Sequence, residues 1–197
     1  MQQEYFSVDH QLNMNVEVVE PQHCPTDYAQ FLSEMPEAFQ LSAQIGLKDQ
    51  NMFNNLRLLG EVGEQLSQYL MRQNQKIEQV LSYVLQQQDE SDLRAQSIQI
   101  GGSQLSFAWK QNLSIGQLIR TKLFLPEESA AIFCYLKVDS SKMREDTNTD
   151  NEVPSFEINC SYQWLREEDQ ETLVRASLHV QSQQLKLRSQ QRQNQNK

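Results

Sequence analysis

Few side chains in this sequence are placed to carry out catalysis. The three histidines, His10, His23 and His179, fall in three different predicted elements, and no HExxH, GxSxG, GxGxxG or phosphate-loop motif is present. His23 and Cys24 are neighbours, but two adjacent residues do not complete a tetrahedral metal site, so a loop pair without function is favoured. We therefore predict no enzyme activity, no catalytic residue and no metal site.

The cysteines and the acidic clusters also have non-catalytic interpretations. Cys24, Cys134 and Cys160 are odd in number, far apart and in no CxxC pair, so we expect free thiols. Acidic residues cluster at 127–128 and at 167–169. The first cluster fits a loop and the second fits the start of a helix, where negative charge is favourable, so neither is interpreted as an acid–base pair.

The composition favours a cytoplasmic protein that does not bind nucleic acid. The 197 residues carry a net charge of −9, which opposes binding to phosphates. No window approaches the 18 or so apolar residues of a membrane span, and the first ten residues lack the features of a secretory signal. Residues 174–197, with five bases and no acid, are a local exception. They could contact RNA, an anionic membrane or an acidic partner, but a solvated helix is favoured.

The strongest pattern in the sequence is a heptad repeat. Between Met52 and Val84 ten positions recur at alternating spacings of three and four, eight of them apolar, and no proline interrupts them. The pattern predicts one long coiled-coil helix with a polar residue, Gln73, on its seam. The ten positions are Met52, Leu56, Leu59, Gly63, Leu66, Leu70, Gln73, Ile77, Val80 and Val84.

A helix of this length, on the order of 50 Å, exceeds what a small domain needs for its own core. We therefore predict a homo-oligomer held together by the heptad positions. The alternative is a helix that lies on its own barrel or on the preceding helix. Apolar residues beside the seam favour that alternative in part, and they are expected to dock the helix to its own domain or to widen the bundle. These residues are Leu58, Val62, Tyr69, Leu81 and Leu85.

Strand patterns lie on both sides of this helix. Met14, Val16 and Val18 alternate as in a half-buried strand, and two short helices are predicted before and after Pro36. Five strand-like runs follow the long helix, at 94–100, 105–109, 118–125, 132–138 and 156–164. Runs of this spacing predict a small antiparallel barrel, with a solvated loop at 139–154. A last helix is predicted after residue 166, fraying beyond Leu187.

Three segments that overlap these strands, 101–107, 113–126 and 156–173, together resemble the PilZ domain. The resemblance covers about half of the chain, from Arg94 to Leu187. It implies an α+β fold in which a small antiparallel β-barrel is followed by a C-terminal helix, here preceded by the long coiled-coil helix. In many members of the family the domain binds cyclic di-GMP.

The resemblance also locates a ligand site, where this sequence departs from the family pattern. Typical binders have RxxxR before the barrel and [D/N]xSxxG at the end of the first strand. Here Arg94 is the only arginine between 72 and 120, and 99–104 reads QIGGSQ, without the second motif's polar positions. The residues predicted to lie at the ligand site are Arg94, Gly101, Gly102 and Ser103. Losing one charge-assisted contact costs roughly 1.5–3 kcal/mol, so cyclic di-GMP is expected to bind weakly or not at all, and no cofactor is expected.

The function predicted from the sequence is a non-enzymatic, oligomeric PilZ-like adaptor of bacterial signalling that acts through an unidentified protein partner. One alternative is a cyclic di-GMP receptor whose ligand switches the oligomer. A third hypothesis is a structural coiled-coil protein whose barrel is only a cap. The predicted organisation is an N-terminal strand with short helices at 1–50, the heptad helix at 51–90, the barrel and last helix at 91–189, and a disordered tail at 190–197.

Overall fold

A computed structural model of the chain describes residues 7–46, 56, 60–144 and 155–195. Its strands are β1 (Ser7–Asp9), β2 (Asn13–Val19), β3 (Arg94–Gly101), β4 (Gln104–Trp109), β5 (Leu118–Leu125), β6 (Ala130–Met143) and β7 (Phe156–Trp164). Its helices are α1 (Tyr28–Glu34), α2 (Glu37–Gly46), α3 (Glu61–Gln86) and α4 (Glu167–Gln195).

Six of these strands close into an antiparallel barrel. Neighbours pair in the order β3, β2, β5, β6, β7, β4, and β4 pairs again with β3. Strand β1 extends the same edge of β3, with Val8 opposite Ile100. The predicted α+β fold, a small barrel with a C-terminal helix and a long helix before it, is confirmed. The sixth strand comes from the N-terminal segment, because β2 lies between β3 and β5.

The barrel interior is filled by alternate residues of its strands. On β5 Ile119, Leu123 and Leu125 point into the core, and the first half of α4 packs Leu173 and Val180 against it. This inside–outside alternation follows from the period of two in a β-strand. It makes the barrel and the start of α4 one packed unit.

A second core covers the outer face of β6. Ile132 and Cys134 belong to the barrel interior, whereas Phe133 and Tyr135 belong to the outer cluster. A strand that is buried on both faces reads as a continuous apolar run, as β6 does. The outer cluster is completed by α1, α2 and the end of α3, through Phe31, Met35, Phe39, Leu81 and Leu85.

Of the five strands predicted after the long helix, two match their predicted boundaries, β3 and β4 are each one residue longer, and β6 is longer at both ends. Strands β5 and β7 begin and end at the predicted residues. Strand β6 continues to Met143 because residues 140–143 pair with 156–159 of β7, where the sequence predicted a solvated loop from 139. The prediction for 139–143 was wrong because this end of the strand is polar. Residues 145–154 of the predicted loop lie outside the described residues.

The long helix does not run unbroken from Met52 to Val84 as predicted. Gly60 has φ +80° and ψ −158°, which is not helical, and α3 begins at the next residue. Glycine permits this conformation because it has no Cβ. Leu56 is helical and half-buried, whereas Met52 and Leu59 lie outside the described residues. The 26 residues of α3 span about 39 Å.

The last helix continues further than predicted. Helix α4 runs to Gln195, past the predicted boundary at 189. The residues beyond 189 are mostly glutamine and arginine, which are good helix formers. The division of the chain into four segments stays a prediction.

Candidate functional site

Arg94, the arginine predicted to bind ligand, is already paired with an acid. Its Nε lies 3.0 and 3.3 Å from the two carboxylate oxygens of Asp89, and its Nη2 lies 2.8 Å from Oδ2. The Arg94 side chain is about half exposed, and that of Asp89 is largely buried. A guanidinium and a carboxylate bind each other strongly in this two-pronged geometry. Asp89 therefore occupies the group that a phosphate or guanine would need.

The turn after α3, which carries Asp89, is held in place by Asn15 of β2. Asn15 Nδ2 donates to Asp89 Oδ1 at 2.9 Å and to the Glu90 carbonyl at 2.8 Å, and the Glu90 N–H donates back to Asn15 Oδ1 at 3.0 Å. Asn15 is buried. Lys122 of β5 adds an ion pair to the Glu90 carboxylate at 2.6 Å. The turn that pairs with Arg94 is thus fixed to two barrel strands.

Sequence reasoning missed Asn15 and Asp89. The available signal was weak: Asn15 is a polar residue within the apolar alternation of β2, and Asp89 lies five residues before the arginine. Neither spacing indicates a contact, because the two residues meet only when β2 enters the barrel.

A cavity of about 540 Å³ lies beside Arg94. The end of α3 forms one wall through Ser82, Leu85 and Gln86, and Arg94 and Asp89 form another part of the lining. Most of the polar groups around it are amides and hydroxyls. Arg94, the predicted ligand arginine, and the end of the long helix therefore line the same cavity.

The other predicted ligand residues lie at the opposite end of β3. Gly101 closes that strand, so seven residue steps separate it from Arg94, or about 23 Å. The Gly101 and Gly102 carbonyls accept hydrogen bonds from Tyr162 Oη at 3.2 Å and from Gln170 Nε2 of α4 at 2.9 Å. Both glycines are buried and Ser103 is half-buried. The structure does not bring Arg94 together with Gly101, Gly102 and Ser103.

Polar contacts join the N-terminal helices to the rest of the domain. Ser42 of α2 accepts a hydrogen bond from the Ala131 N–H of β6 at 3.2 Å, and two further contacts involve charged groups. Tyr135 of β6 donates a short hydrogen bond from its hydroxyl to the Glu34 carboxylate of α1. Burial, followed by this bond and the charge of Glu34, raises the pKa of Tyr135 above its usual value. The neutral phenol is therefore the form that the folded chain stabilises.

The second contact is a buried ion pair at the start of α4. Arg166 donates from Nε and Nη2 to the two oxygens of Asp169, at 2.7 and 2.9 Å, and from Nη2 to the Phe39 carbonyl of α2 at 3.2 Å. Burial raises the pKa of Asp169 even though Arg166 opposes that shift. The guanidinium thus connects α2 with the helix that follows the barrel.

The three cysteines are free, as the sequence predicted, and the structure shows that all three are buried. Burial raises the pKa of Cys160 to about 12 and also raises the pKa of Cys134. Thiols react as thiolates, so the two cysteines in the barrel core are unreactive.

Helix α3 has one covered side and one open side. Gly63, Ser67, Leu81 and Leu85 are buried. Gly63 was itself one of the predicted seam positions. The later seam positions lie on an adjacent side, where four apolar members are between 40% and 65% exposed. Leu70 and Gln73 are partly buried. We use the name seam for Leu66, Leu70, Gln73, Ile77, Val80 and Val84.

Solved structures similar in fold were found, although neither a protein-family model nor a curated protein sequence matches the chain. A protein from Xanthomonas campestris, whose structure is that of a tetrameric PilZ domain self-assembled through a helical bundle, is 15% identical with a TM-score of 0.54. The match covers 93% of this chain and 91% of that one.

Two further structures match less closely. The motility inhibitor MotI/DgrA of Bacillus subtilis is 12% identical with a TM-score of 0.45, over 93% of this chain. The match spans only 52% of the MotI/DgrA chain. MrkH, a transcription regulatory factor dependent on cyclic di-GMP, is 17% identical with a TM-score of 0.38, over 46% of this chain and 42% of that one.

The barrel, the terminal helix and the Xanthomonas match together define the class of fold. The chain carries a PilZ-like domain, which confirms the resemblance seen in the sequence. None of its described helices has the length and apolar character needed to cross a membrane.

Proposed function

We propose that this protein is a non-enzymatic, oligomeric adaptor of bacterial cyclic di-GMP-related signalling, in which α3 helices assemble PilZ-like barrels that act through protein contacts. The observation that carries the proposal is the open seam of α3. Leu66, Ile77, Val80 and Val84 are 46%, 48%, 65% and 40% exposed, at heptad spacing on one side of the helix.

The energy available from covering this seam is substantial. Complete burial of one aliphatic side chain contributes about 1.5–3 kcal/mol, so covering four half-exposed ones contributes roughly 3–6 kcal/mol per subunit. A second copy presents the same apolar stripe. The seam, which lies beside the covered side of α3, is therefore suited to helix–helix pairing.

The Xanthomonas protein supports this assembly by analogy. It is similar in fold along nearly the whole length of both chains, and it is a tetramer that assembles through a helical bundle. We propose a bundle of α3 helices here as well, without assigning the number of subunits.

We further propose that cyclic di-GMP binds weakly or not at all. Asp89 pairs with Arg94, and Gly101, Gly102 and Ser103 lie about 23 Å from it along β3. A ligand at Arg94 would have to displace Asp89 from a two-pronged ion pair. That displacement lowers the affinity beyond the loss of a second arginine.

The cavity beside Arg94 favours a second candidate, a cyclic di-GMP receptor whose ligand switches the oligomer. Ser82, Leu85 and Gln86 of α3 line the same cavity as Arg94. A ligand bound there would contact the helix that carries the seam.

The test of assembly is the mass of the full chain in solution, measured by light scattering. The double variant Leu66→Glu with Ile77→Glu is expected to lower the mass below that of the parent, because charges on the seam oppose burial. The matched control is Gln68→Glu with Gln75→Glu, which adds the same charge at exposed positions away from the seam. A parent that is already monomeric, or a seam variant of unchanged mass, would refute the proposed assembly.

Titration calorimetry with cyclic di-GMP separates the two candidates. The adaptor is expected to show no binding, or binding weaker than micromolar, in the parent, in Arg94→Ala and in a control, Lys110→Ala. Micromolar affinity that Arg94→Ala abolishes and Lys110→Ala retains would favour the receptor, most clearly if ligand also changes the mass.

A further inference from the structure

Helix α4 carries a second heptad stripe on the side turned away from the barrel. Leu173, Ser177 and Val180 define its buried side. The outer stripe is offset from these residues and follows alternating spacings of four and three. It consists of Glu167, Glu171, Val174, Leu178, Gln181, Leu185, Arg188 and Arg192.

Much of the outer stripe is open to solvent in the single subunit, although Val174 and Gln181 are partly buried. Leu178 and Leu185 are 55% and 57% exposed, and Glu171 and Arg188 are also exposed. A third side of the helix faces the turn after β5, where Glu128 lies 3.3 Å from the His179 ring. The other two sides of α4 thus meet the protein, and the outer stripe is the side left over among the described residues.

Charge along this stripe changes sign from one end to the other. It begins with Glu167 and Glu171, has apolar residues in its middle, and ends with Arg188 and Arg192. Two identical stripes in opposite directions are therefore complementary, whereas parallel stripes would oppose acid with acid. When Val174 faces the second copy's Leu185, the same register places glutamates opposite arginines at both ends.

We propose that the outer stripe of α4 is a self-association surface that pairs antiparallel with the same stripe of a second copy. In this register Glu171 faces Arg188 of the other copy, and the two-fold axis passes between residues 179 and 180. The interface contains each glutamate–arginine pair twice, because the two copies are related by symmetry.

The length of α4 supports the same arrangement. Among the described residues, its last hydrogen bond to the barrel sheet runs from Gln184 Nε2 to the Asp9 carbonyl, at 2.9 Å. The helix continues from there to Gln195, a further 17 Å or about three turns. In an antiparallel pair this projecting part lies along the other copy's docked part, so each copy covers the end that the other leaves exposed.

The charge pairs cannot form within one helix. Glu171 and Arg188 are separated by seventeen positions, or about 26 Å. Binding of the basic end to RNA or to an anionic membrane is the competing explanation, but it gives no role to the acidic end or to Leu178. The complete stripe fits a second copy better.

Charge exchange tests the proposal in the full chain. To keep the test independent of the α3 seam, each variant carries Leu66→Glu and Ile77→Glu, and sedimentation velocity measures self-association. Glu171→Arg alone and Arg188→Glu alone are each expected to weaken pairing about tenfold or more, since two attractions become repulsions. The two changes together are expected to restore the parent constant to within about threefold, because the pairs re-form with reversed sign.

Glu168 and Lys186 supply the matched control on the same helix. Both are exposed and lie off the outer stripe, so Glu168→Lys and Lys186→Glu, alone or together, are expected to leave association unchanged. Failure of the double exchange to restore pairing would overturn the proposal. So would a chain in which Arg188 governs binding to anionic vesicles or to RNA while self-association is absent.

Cross-linking checks the register separately. Gln181→Cys places a thiol close to the two-fold axis, where a short bis-maleimide is expected to link two copies. The native cysteines are buried and are not expected to react with the reagent. A cysteine at Gln190 lies about 31 Å along the axis from its counterpart and is expected to remain unlinked. Equal linking at both positions, or linking at Gln190 alone, would contradict antiparallel pairing.

Discussion

Neighbouring residues of helix α3 have the same chemical character and opposite environments. Leu81 and Leu85 are 7% and 2% exposed, while Val80 and Val84, one position before each, are 65% and 40% exposed. A single step turns a helical side chain by about 100°, and α2 and β6 cover only one side. Periodicity thus identifies apolar helix positions, but the neighbouring elements decide which of them the subunit itself buries.

The ion pairs of the molecule show the same contrast. Arg166 and Asp169 are buried between α2 and α4, whereas Arg120 and Glu17 pair at 2.7 Å on the open side of β5 and β2. Both are arginine–carboxylate pairs of short distance. Only the first has lost the water that would otherwise solvate its charges, so the two are expected to differ in their effect on stability.

The largest effect is expected from removing one partner of the buried pair. Asp169→Asn leaves the Arg166 guanidinium without a compensating charge, which is expected to lower the free energy of unfolding by about 3–5 kcal/mol. Urea denaturation at neutral pH measures this change. Glu17→Gln is the control on the exposed pair and is expected to cost about 0–1 kcal/mol. Equal losses in the two variants would show that burial does not distinguish the pairs.

The two sides of α3 are compared by truncating adjacent residues. Leu85→Ala removes a buried side chain from the outer core and is expected to lower the free energy of unfolding by about 2–4 kcal/mol. Val84→Ala, on the seam, is expected to change the stability of the isolated subunit by less than about 0.5 kcal/mol. Both are measured in the Leu66→Glu, Ile77→Glu background, so that assembly through the seam does not contribute. A larger loss of unfolding free energy in Val84→Ala than in Leu85→Ala would mean that the covered side of α3 is assigned incorrectly.

Local patterns were sufficient to predict most of the barrel. Strand β7 alternates apolar and polar residues and β5 is rich in β-branched and apolar residues, and both were placed at the correct residues. The end of β6 was missed because Ser140, Ser141 and Lys142 carry no apolar signal; cross-strand pairing alone holds them in the sheet. The break at Gly60 was missed because a heptad pattern records side chains and not the backbone angle of one glycine.

The candidate site was harder to predict than the fold. The position of Arg94 followed from its resemblance to a motif, but its pairing with Asp89 depends on a turn that Asn15 holds from the other end of the chain. The separation of Arg94 from Gly101 along one strand required the strand boundaries. Long-range contacts of this kind leave no spacing in a single sequence.

The smallest effect is expected at alkaline pH, in a comparison of the buried Tyr135 of β6 with the exposed Tyr83 of α3. The pKa of Tyr135 is raised above its ordinary value of 10.0 by burial and by the Glu34 contact, so the unfolded chain ionises first. Its contribution to stability is complete below pH 10 and is lost as the pH rises beyond 10, with a slope of up to about 1.4 kcal/mol per pH unit.

Tyr135→Phe is expected to reduce the fall in unfolding free energy between pH 10 and 11.5, while Tyr83→Phe, which removes a phenol that is 65% exposed, leaves it as in the parent. Cys160 and Tyr162 contribute with the same sign in every variant, so the difference between the two slopes isolates Tyr135. Identical slopes in the two variants would mean that neither burial nor the Glu34 contact raises the pKa of Tyr135 in the folded chain.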